Sequence, residues 1–215
     1  MNVFKDNKFF LIPFVLFLIC GAIFLITHTK PETHLIINSY HNSFLDTTTP
    51  YLTWLGDGWA GIILVVILLF IKLRYAIFAC IAFLIESFLL QLGRQTIFHG
   101  LPRPVEYFKG SDQLRLVPGV SMDHWNSFPS GHTACAFTIY FCLSILVKNN
   151  WLKFFFFSLA LLTAFTRVYL SEHFFEDVYG GSILGVFSAL IAFFLVRNNK
   201  KDWASQPIQK LFKRS

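Results

Sequence analysis

Residues 127–147 read SFPSGHTACAFTIYFCLSILV. A compact polar cluster, Pro129-Ser130-Gly131-His132, runs without a break into an apolar segment, 132–147. A helix that starts there offers unpaired backbone N–H groups and the positive end of its dipole. Ser130 can cap it, and Gly131 lets the backbone come close to an anion. The same residues also read as an ordinary serine cap behind a proline turn. His132, in the first turn, is expected to be neutral unless a nearby anion holds its proton, in which case it becomes a general acid.

Working outward, five more apolar runs appear, at 9–27, 59–73, 75–92, 151–166 and 178–196. A bilayer core needs about 20 helical residues, and these six segments approach that length. The second is short, with Lys72 snorkelling at its end, and the fourth and fifth are expected to extend by a turn. The run at 9–27 follows Lys5 and Lys8 as a signal-peptide core would. Its length, with no small-residue cleavage site behind it, reads as a retained helix. The chain is 55% hydrophobic and 14% charged, with a mean hydropathy of +0.57, too apolar to cover the surface of a soluble domain. The expected fold is an all-α integral membrane protein, a six-transmembrane-helix bundle with its active site at the outer, periplasmic face. Residues 1–8 form a cytoplasmic N-terminus, 9–197 a single domain and 198–215 a basic cytoplasmic tail. Trp203, Ile208, Leu211 and Phe212 in that tail suit either an anionic inner leaflet or solvent.

Charge placement supports that topology. With both termini inside, the cytoplasmic side holds Lys5, Lys8, Lys72, Arg74, Lys148, Lys153, Arg197, Lys200, Lys201, Lys210, Lys213 and Arg214 against only Asp6 and Asp202. This is the positive-inside pattern. The net charge of +6 is therefore a matter of membrane topology and makes no case for nucleic acid. Cys20, Cys80, Cys135 and Cys142 lack disulfide or zinc spacing and read as small buried hydrophobes. No metal or cofactor is expected. Glu86, alone inside the third apolar run, is expected to hydrogen-bond to another helix in its neutral form.

Two long connections, 28–58 and 93–131, fall on the outer side, together with every polar cluster. In the first, Leu35-Ile36-Ile37 and Tyr51-Leu52 with Trp54-Leu55 suit a short interfacial helix, ended by a turn at Gly56-Asp57-Gly58. In the second, Pro102, Pro104 and Pro118 forbid one continuous helix. Arg103 and Arg167 flank membrane segments on the outer side, against the charge trend. They suit phosphate oxygens or headgroup snorkelling. His173 and Asp177 stand four apart, so on a helix they share a face. A carboxylate there can fix the imidazole tautomer and free the other nitrogen as nucleophile or base, although a plain interfacial His–Asp pair has the same spacing.

Taken together these residues resemble the type 2 phosphatidic acid phosphatase superfamily over 38–196. Its Pro-Ser-Gly-His motif is complete at 129–132. Its Ser-Arg, five residues, His, three residues, Asp motif is met by Arg167, His173 and Asp177, with Thr166 in place of Ser. Its Lys, six residues, Arg-Pro motif keeps Arg103-Pro104 but has Thr96 at the lysine position, and Arg94 is the nearest basic substitute. The resemblance implies His173 as nucleophile and a phosphohistidine intermediate. It implies Asp177 as the group that orients His173 and His132 as general acid. Arg103, Arg167, Ser130 and Gly131 would be phosphate-binding, with Arg94 as the stand-in cation. The implied activity is metal-independent hydrolysis of a phosphorylated membrane lipid: phosphatidylglycerol phosphate, undecaprenyl pyrophosphate, phosphatidic acid or lipid A. A lipid phosphotransferase is the alternative, and a non-enzymatic lipid transporter a more remote one. The expected location is a bacterial inner membrane.

Overall fold

The computed structural model describes residues 2–197 and 206–209. Most of the expected tail therefore lies outside the described residues, Trp203, Leu211 and Phe212 included. The regular elements among the described residues are all helical, apart from one isolated antiparallel bridge between Pro102 and Trp125. The elements are α1 (Val3–Asp6), α2 (Lys8–Thr27), α3 (Lys30–Asn38), α4 (Ser43–Leu52) leading into a 3₁₀ turn (Thr53–Gly56), α5 (Gly58–Ile71), α6 (Leu73–Gln95), α7 (Pro104–Tyr107), α8 (Gly131–Leu146), α9 (Asn150–Tyr169) and α10 (Phe175–Val196).

The six expected apolar runs coincide with α2, α5, α6, α8, α9 and α10. By length and apolarity, four of these are candidate membrane spans: α2, α6, α9 and α10. A fifth results if α4 with its 3₁₀ turn and α5, bent by 49°, count as one broken span. The fifth run gains a turn as expected, but α8 stays at 16 residues. Its start is set by the Ser130 cap, and its other end stops at the extended Val147. Ile12, Leu16, Ile19 and Ile23 on α2 and Ile62, Ile63, Ile67 and Phe70 on α5 face outward. Such a continuous apolar exterior belongs in lipid, and the protein is an integral membrane protein.

The core is built around α8. Twelve of its residues are buried, which suits a helix that is apolar on every side. It packs against α6, α9 and α10, and Phe10 of α2 closes an aromatic cluster with Phe141 at 4.9 Å and Phe157 at 5.7 Å. Cys135 and Cys142 are buried here as expected. Cys20 and Cys80 are instead exposed on α2 and α6, Cys80 lining a cavity. At the end of the bundle away from the polar loops, Asn7 accepts hydrogen bonds from Ser144 at 2.9 Å and from the buried Lys153 at 3.2 Å. There too the Leu73 and Ile208 amides bond to the carbonyls of Gln206 and Leu69, each at 3.0 Å.

The first outer connection forms two helices where one was expected. Ser39 ends α3, and Asn42 caps α4 by accepting a bond from the Leu45 amide at 2.9 Å. Gly56 and Asp57 end the 3₁₀ turn as expected, and Asp57 also caps α5 through the Trp59 amide at 3.0 Å. The second connection folds back on itself. The Arg103 amide bonds to the His124 carbonyl at 2.9 Å, and the Ser127 amide to that of Leu101 at 3.1 Å.

Two glycines on α10 set how closely it meets α8. A Cβ on Gly181 would lie 2.6 Å from the Ser130 carbonyl oxygen, and one on Gly185 would strike the Ala134 carbonyl. Small residues at this spacing let helix backbones touch inside a bilayer. Gly185→Val is expected to lower the thermal unfolding midpoint in detergent, at a cost of about 1–3 kcal/mol or more from overpacking. Gly93→Ala, whose Cβ would meet Phe98 at an ordinary 3.5 Å, should leave the midpoint unchanged or slightly raised.

Candidate active site

The close approach of α8 and α10 brings their first turns together. The Ser130 amide bonds to the Asp177 carbonyl at 2.9 Å. Ser130 caps α8, is fully buried, and accepts a bond from the Thr133 hydroxyl at 3.0 Å. Its hydroxyl is thus used in building the helix start, while Gly131 and His132 line the cavity beside it.

His173 does not lie on a helix, contrary to the expectation of a shared helical face. It sits in the turn between α9 and α10, one residue before the N-cap Phe174. That turn reverses the chain through Ser171, at φ 57°, with the amides of Glu172 and His173 both donating to the Arg167 carbonyl at 3.1 and 3.2 Å. The Ser171 hydroxyl is held from α3 by Asn38 at 2.9 Å and lies 3.2 Å from His34. Burial pushes the His34 imidazole down to about 4, so it is neutral in this contact.

Asp177 reaches back from the first turn of α10. Its Oδ2 accepts the Phe174 amide at 2.8 Å and the Ser127 hydroxyl. The same oxygen lies 3.5 Å from Nδ1 of His173. The pair is within ion-pair reach, but among the described residues that imidazole nitrogen has no hydrogen-bond partner, and neither does Oδ1 of Asp177. The expected His–Asp hydrogen bond is therefore not closed in this state. His173 is 1% exposed. Burial first, then the Arg103, Arg167 and Arg94 charges, hold its imidazole well below the ordinary histidine value. A neutral ring keeps a lone pair for nucleophilic attack.

Three guanidinium groups surround this imidazole. Arg103 donates to Glu172 at 2.6 Å and to the Trp125 carbonyl at 3.1 Å, and pairs with Asp123 at 3.1 Å. Arg167 donates to Thr53 at 2.7 Å and lies 3.4 Å from Glu172, while its Nε has no partner among the described residues. Arg94 donates twice to the Pro129 carbonyl, at 3.2 and 2.7 Å. A Cβ on Gly131 would sit 3.6 Å from Arg94 Nη2. Thr96, at the motif's lysine position, is exposed and turned back onto the Leu92 carbonyl. All three arginines line one cavity of about 650 Å3 with Gly131, His132 and His173. Ser130 and Asp177 lie behind its wall.

Four further residues complete the cluster. Glu172 spans Arg103 and Arg167. Burial raises its carboxyl above the usual carboxylate range, and the two arginines oppose that shift. Asp57 lies 3.5 Å from Nε2 of His132, brought there because Gly56 fits against the His132 carbonyl, 2.5 Å from where a Cβ would stand. Ser127 anchors Asp177, and Thr53 anchors Arg167. Ser127 and Glu172 lie inside or beside the motifs, so proximity was an available signal. Asp57 read only as a turn former, and Thr53 carried no signal. Because Glu172 neutralises two buried arginines, Glu172→Ala is expected to cost about 3–5 kcal/mol in unfolding free energy. Glu172→Gln, which keeps the shape and one acceptor, should cost less. Thermal unfolding of the purified variants measures both, and equal, negligible shifts would remove Glu172 from the site's support.

Residues 71–201 match the PAP2 superfamily. Among solved structures, the fold is similar to that of LpxE from Aquifex aeolicus, at a TM-score of 0.68 and 27% identity over 78% of this chain and 96% of that one. It is also similar to the first transmembrane PAP2-type phosphatidylglycerolphosphate phosphatase from Bacillus subtilis, at a TM-score of 0.60 and 21% identity over 93% and 99%. That second likeness concerns the fold alone. Undecaprenyl-diphosphatase BcrC of Bacillus subtilis is 28% identical over 161 residues, 72% of this chain and 77% of that protein. The chain spans only 30% and 24% of the lengths of two other curated relatives that it matches. With the matched region covering α6 through α10, and with the motif residues of those helices gathered around one cavity, this chain belongs to the PAP2 superfamily.

Proposed function

We propose that the protein hydrolyses a phosphomonoester or pyrophosphate on a membrane lipid, without a metal and through a phosphohistidine. One observation carries the reading. A buried His173, its imidazole held well below the ordinary histidine value, faces three arginines and the start of α8 at one end of a cavity that continues between largely apolar walls. That is a place for a phosphate joined to a hydrocarbon chain. In the first step a ring nitrogen of His173 attacks phosphorus as the bond to the leaving oxygen breaks. Nδ1 faces Asp177, so Nε2 is the attacking atom. Asp177 offsets the positive charge that develops on the ring. His132 gives its proton to the leaving oxygen, then takes one from the water that cleaves the P–N bond and releases phosphate. Arg103, Arg167, Arg94 and the amides at Gly131 balance the equatorial charge on the phosphoryl group, which is the main demand of phosphoryl transfer.

The same reading places six spans across a bacterial inner membrane as a single domain, 9–197, with both termini cytoplasmic. The cavity then opens on the periplasmic side. The skewed lysine and arginine distribution supports this. The candidate substrates remain phosphatidylglycerol phosphate, undecaprenyl pyrophosphate, phosphatidic acid and lipid A phosphates.

Purified protein should release free phosphate from at least one of these four lipids, with chelator leaving the rate unchanged. His173→Ala and His132→Ala should each lower kcat by about a thousandfold or more, while the proteins still insert. Retained turnover by His173→Ala would sink the mechanism, and a phosphorylated acceptor in place of free phosphate would make the enzyme a transferase. Arg94→Ala should reduce kcat/KM at least tenfold more than Thr96→Ala. Equal, small effects would remove Arg94 from phosphate binding.

A further inference from the structure

The cavity continues past the arginines. Between α5 and α6 it becomes an apolar groove walled by Ile62, Val65, Val66, Phe83 and Leu84. Glu86 on α6 interrupts that wall. It is 3% exposed, yet it lines the groove. Among the described residues, its Oε2 takes a single 3.3 Å bond from the adjacent Ser87 hydroxyl, and its Oε1 has no partner. The interhelical bond that the sequence led us to expect is absent among the described residues. A buried carboxyl oxygen with nothing to bind is costly among apolar side chains. A group of complementary chemistry entering the groove would remove that cost.

Glu86 stands eight residues before Arg94 on the same helix, which is a rise of about 12 Å. A lipid whose phosphate lies among the arginines and whose chains run down the groove brings its interfacial or upper acyl region to that depth. We propose that Glu86 is a lipid-specificity residue, whose carboxyl accepts a hydrogen bond from a hydroxyl or amide N–H on the lipid, about 12 Å along α6 from the phosphate-binding end. This rests on the lipid phosphatase reading and adds the substrate's chemical class. An ionised carboxylate only accepts, whereas a protonated carboxyl also donates through its O–H, so a hydroxyl or an amide, which does both, suits Glu86 in either state. The aliphatic walls accept any chain, whereas a buried polar group left unpaired discriminates strongly against analogues that lack its partner. Glycerol diesters carry only acceptors in that region, which suit only the protonated carboxyl, and polyprenyl chains carry neither donors nor acceptors. Lipids with N-acyl or hydroxylated chains carry donors, and they are the class the groove selects.

The test uses the full-length protein in detergent and three probes. Ceramide 1-phosphate has hydroxyl and amide donors, whereas dipalmitoyl phosphatidic acid and undecaprenyl pyrophosphate have none outside the phosphate. The wild type is expected to favour ceramide 1-phosphate over phosphatidic acid by about tenfold or more in kcat/KM. Glu86→Leu should erase that preference through KM, with kcat on ceramide 1-phosphate little changed. Glu86→Gln, which keeps an acceptor oxygen, should preserve most of it. A wild type with no preference overturns the proposal, even if Glu86→Leu fails to fold. So does a Glu86→Leu enzyme that loses all three activities in parallel, since that is the mark of a purely structural role. Absence of phosphate release from every probe by the wild type overturns the phosphatase reading and this proposal with it.

Discussion

The contact on which the site depends is the meeting of two helix starts. Gly181 and Gly185 allow α10 to lie against the carbonyls of Ser130 and Ala134, and the Ser130 amide closes on the Asp177 carbonyl. Inside a bilayer no hydrophobic force drives helices together, so association relies on close packing and hydrogen bonds of this kind. Everything else follows from that geometry. The amide end of α8 faces the turn that carries His173, and Asp177 is placed to cap α10 and stand beside the imidazole at once.

A second constraint is electrostatic. Three arginines are gathered around one cavity, two of them almost wholly buried. Unpaired, they would be too costly to hold there. Glu172, Asp123 and the Trp125 and Pro129 carbonyls offset them. The result is a cluster of fixed donors that, in the function we propose, needs little rearrangement to meet a phosphoryl group, which is the form of preorganisation that lowers a charged transition state. Burial, reinforced by the same positive field, holds the His173 imidazole well below the ordinary histidine value.

Much of this was legible along the chain. Apolar runs located α2, α5, α6, α8, α9 and α10, because a helix buried in lipid must be apolar over most of its length. The local motif spacing picked out Arg167, His173, Asp177 and the Ser130 cap. Arg94 was suggested only by its distance from Arg103, and the folded chain carries its guanidinium to Pro129 while Thr96 turns away. What was misread was local as well. The interval of four between His173 and Asp177 suggested a shared helical face, but a tight turn through Ser171 followed by a capping aspartate produces the same spacing.

The sequence by itself determined the class of the protein, the number of apolar helices and the identity of the motif side chains, since each depends on composition or on short-range periodicity. Only the tertiary structure decided which residues support them. Glu172 joins two arginines that are 64 residues apart in the chain. Asp57 reaches His132 because a glycine permits a close approach, and Glu86 turns into a groove rather than toward a neighbouring helix. These pairings join distant segments through packing, and packing depends on the shapes of several helices at once. No short-range pattern in one chain encodes it.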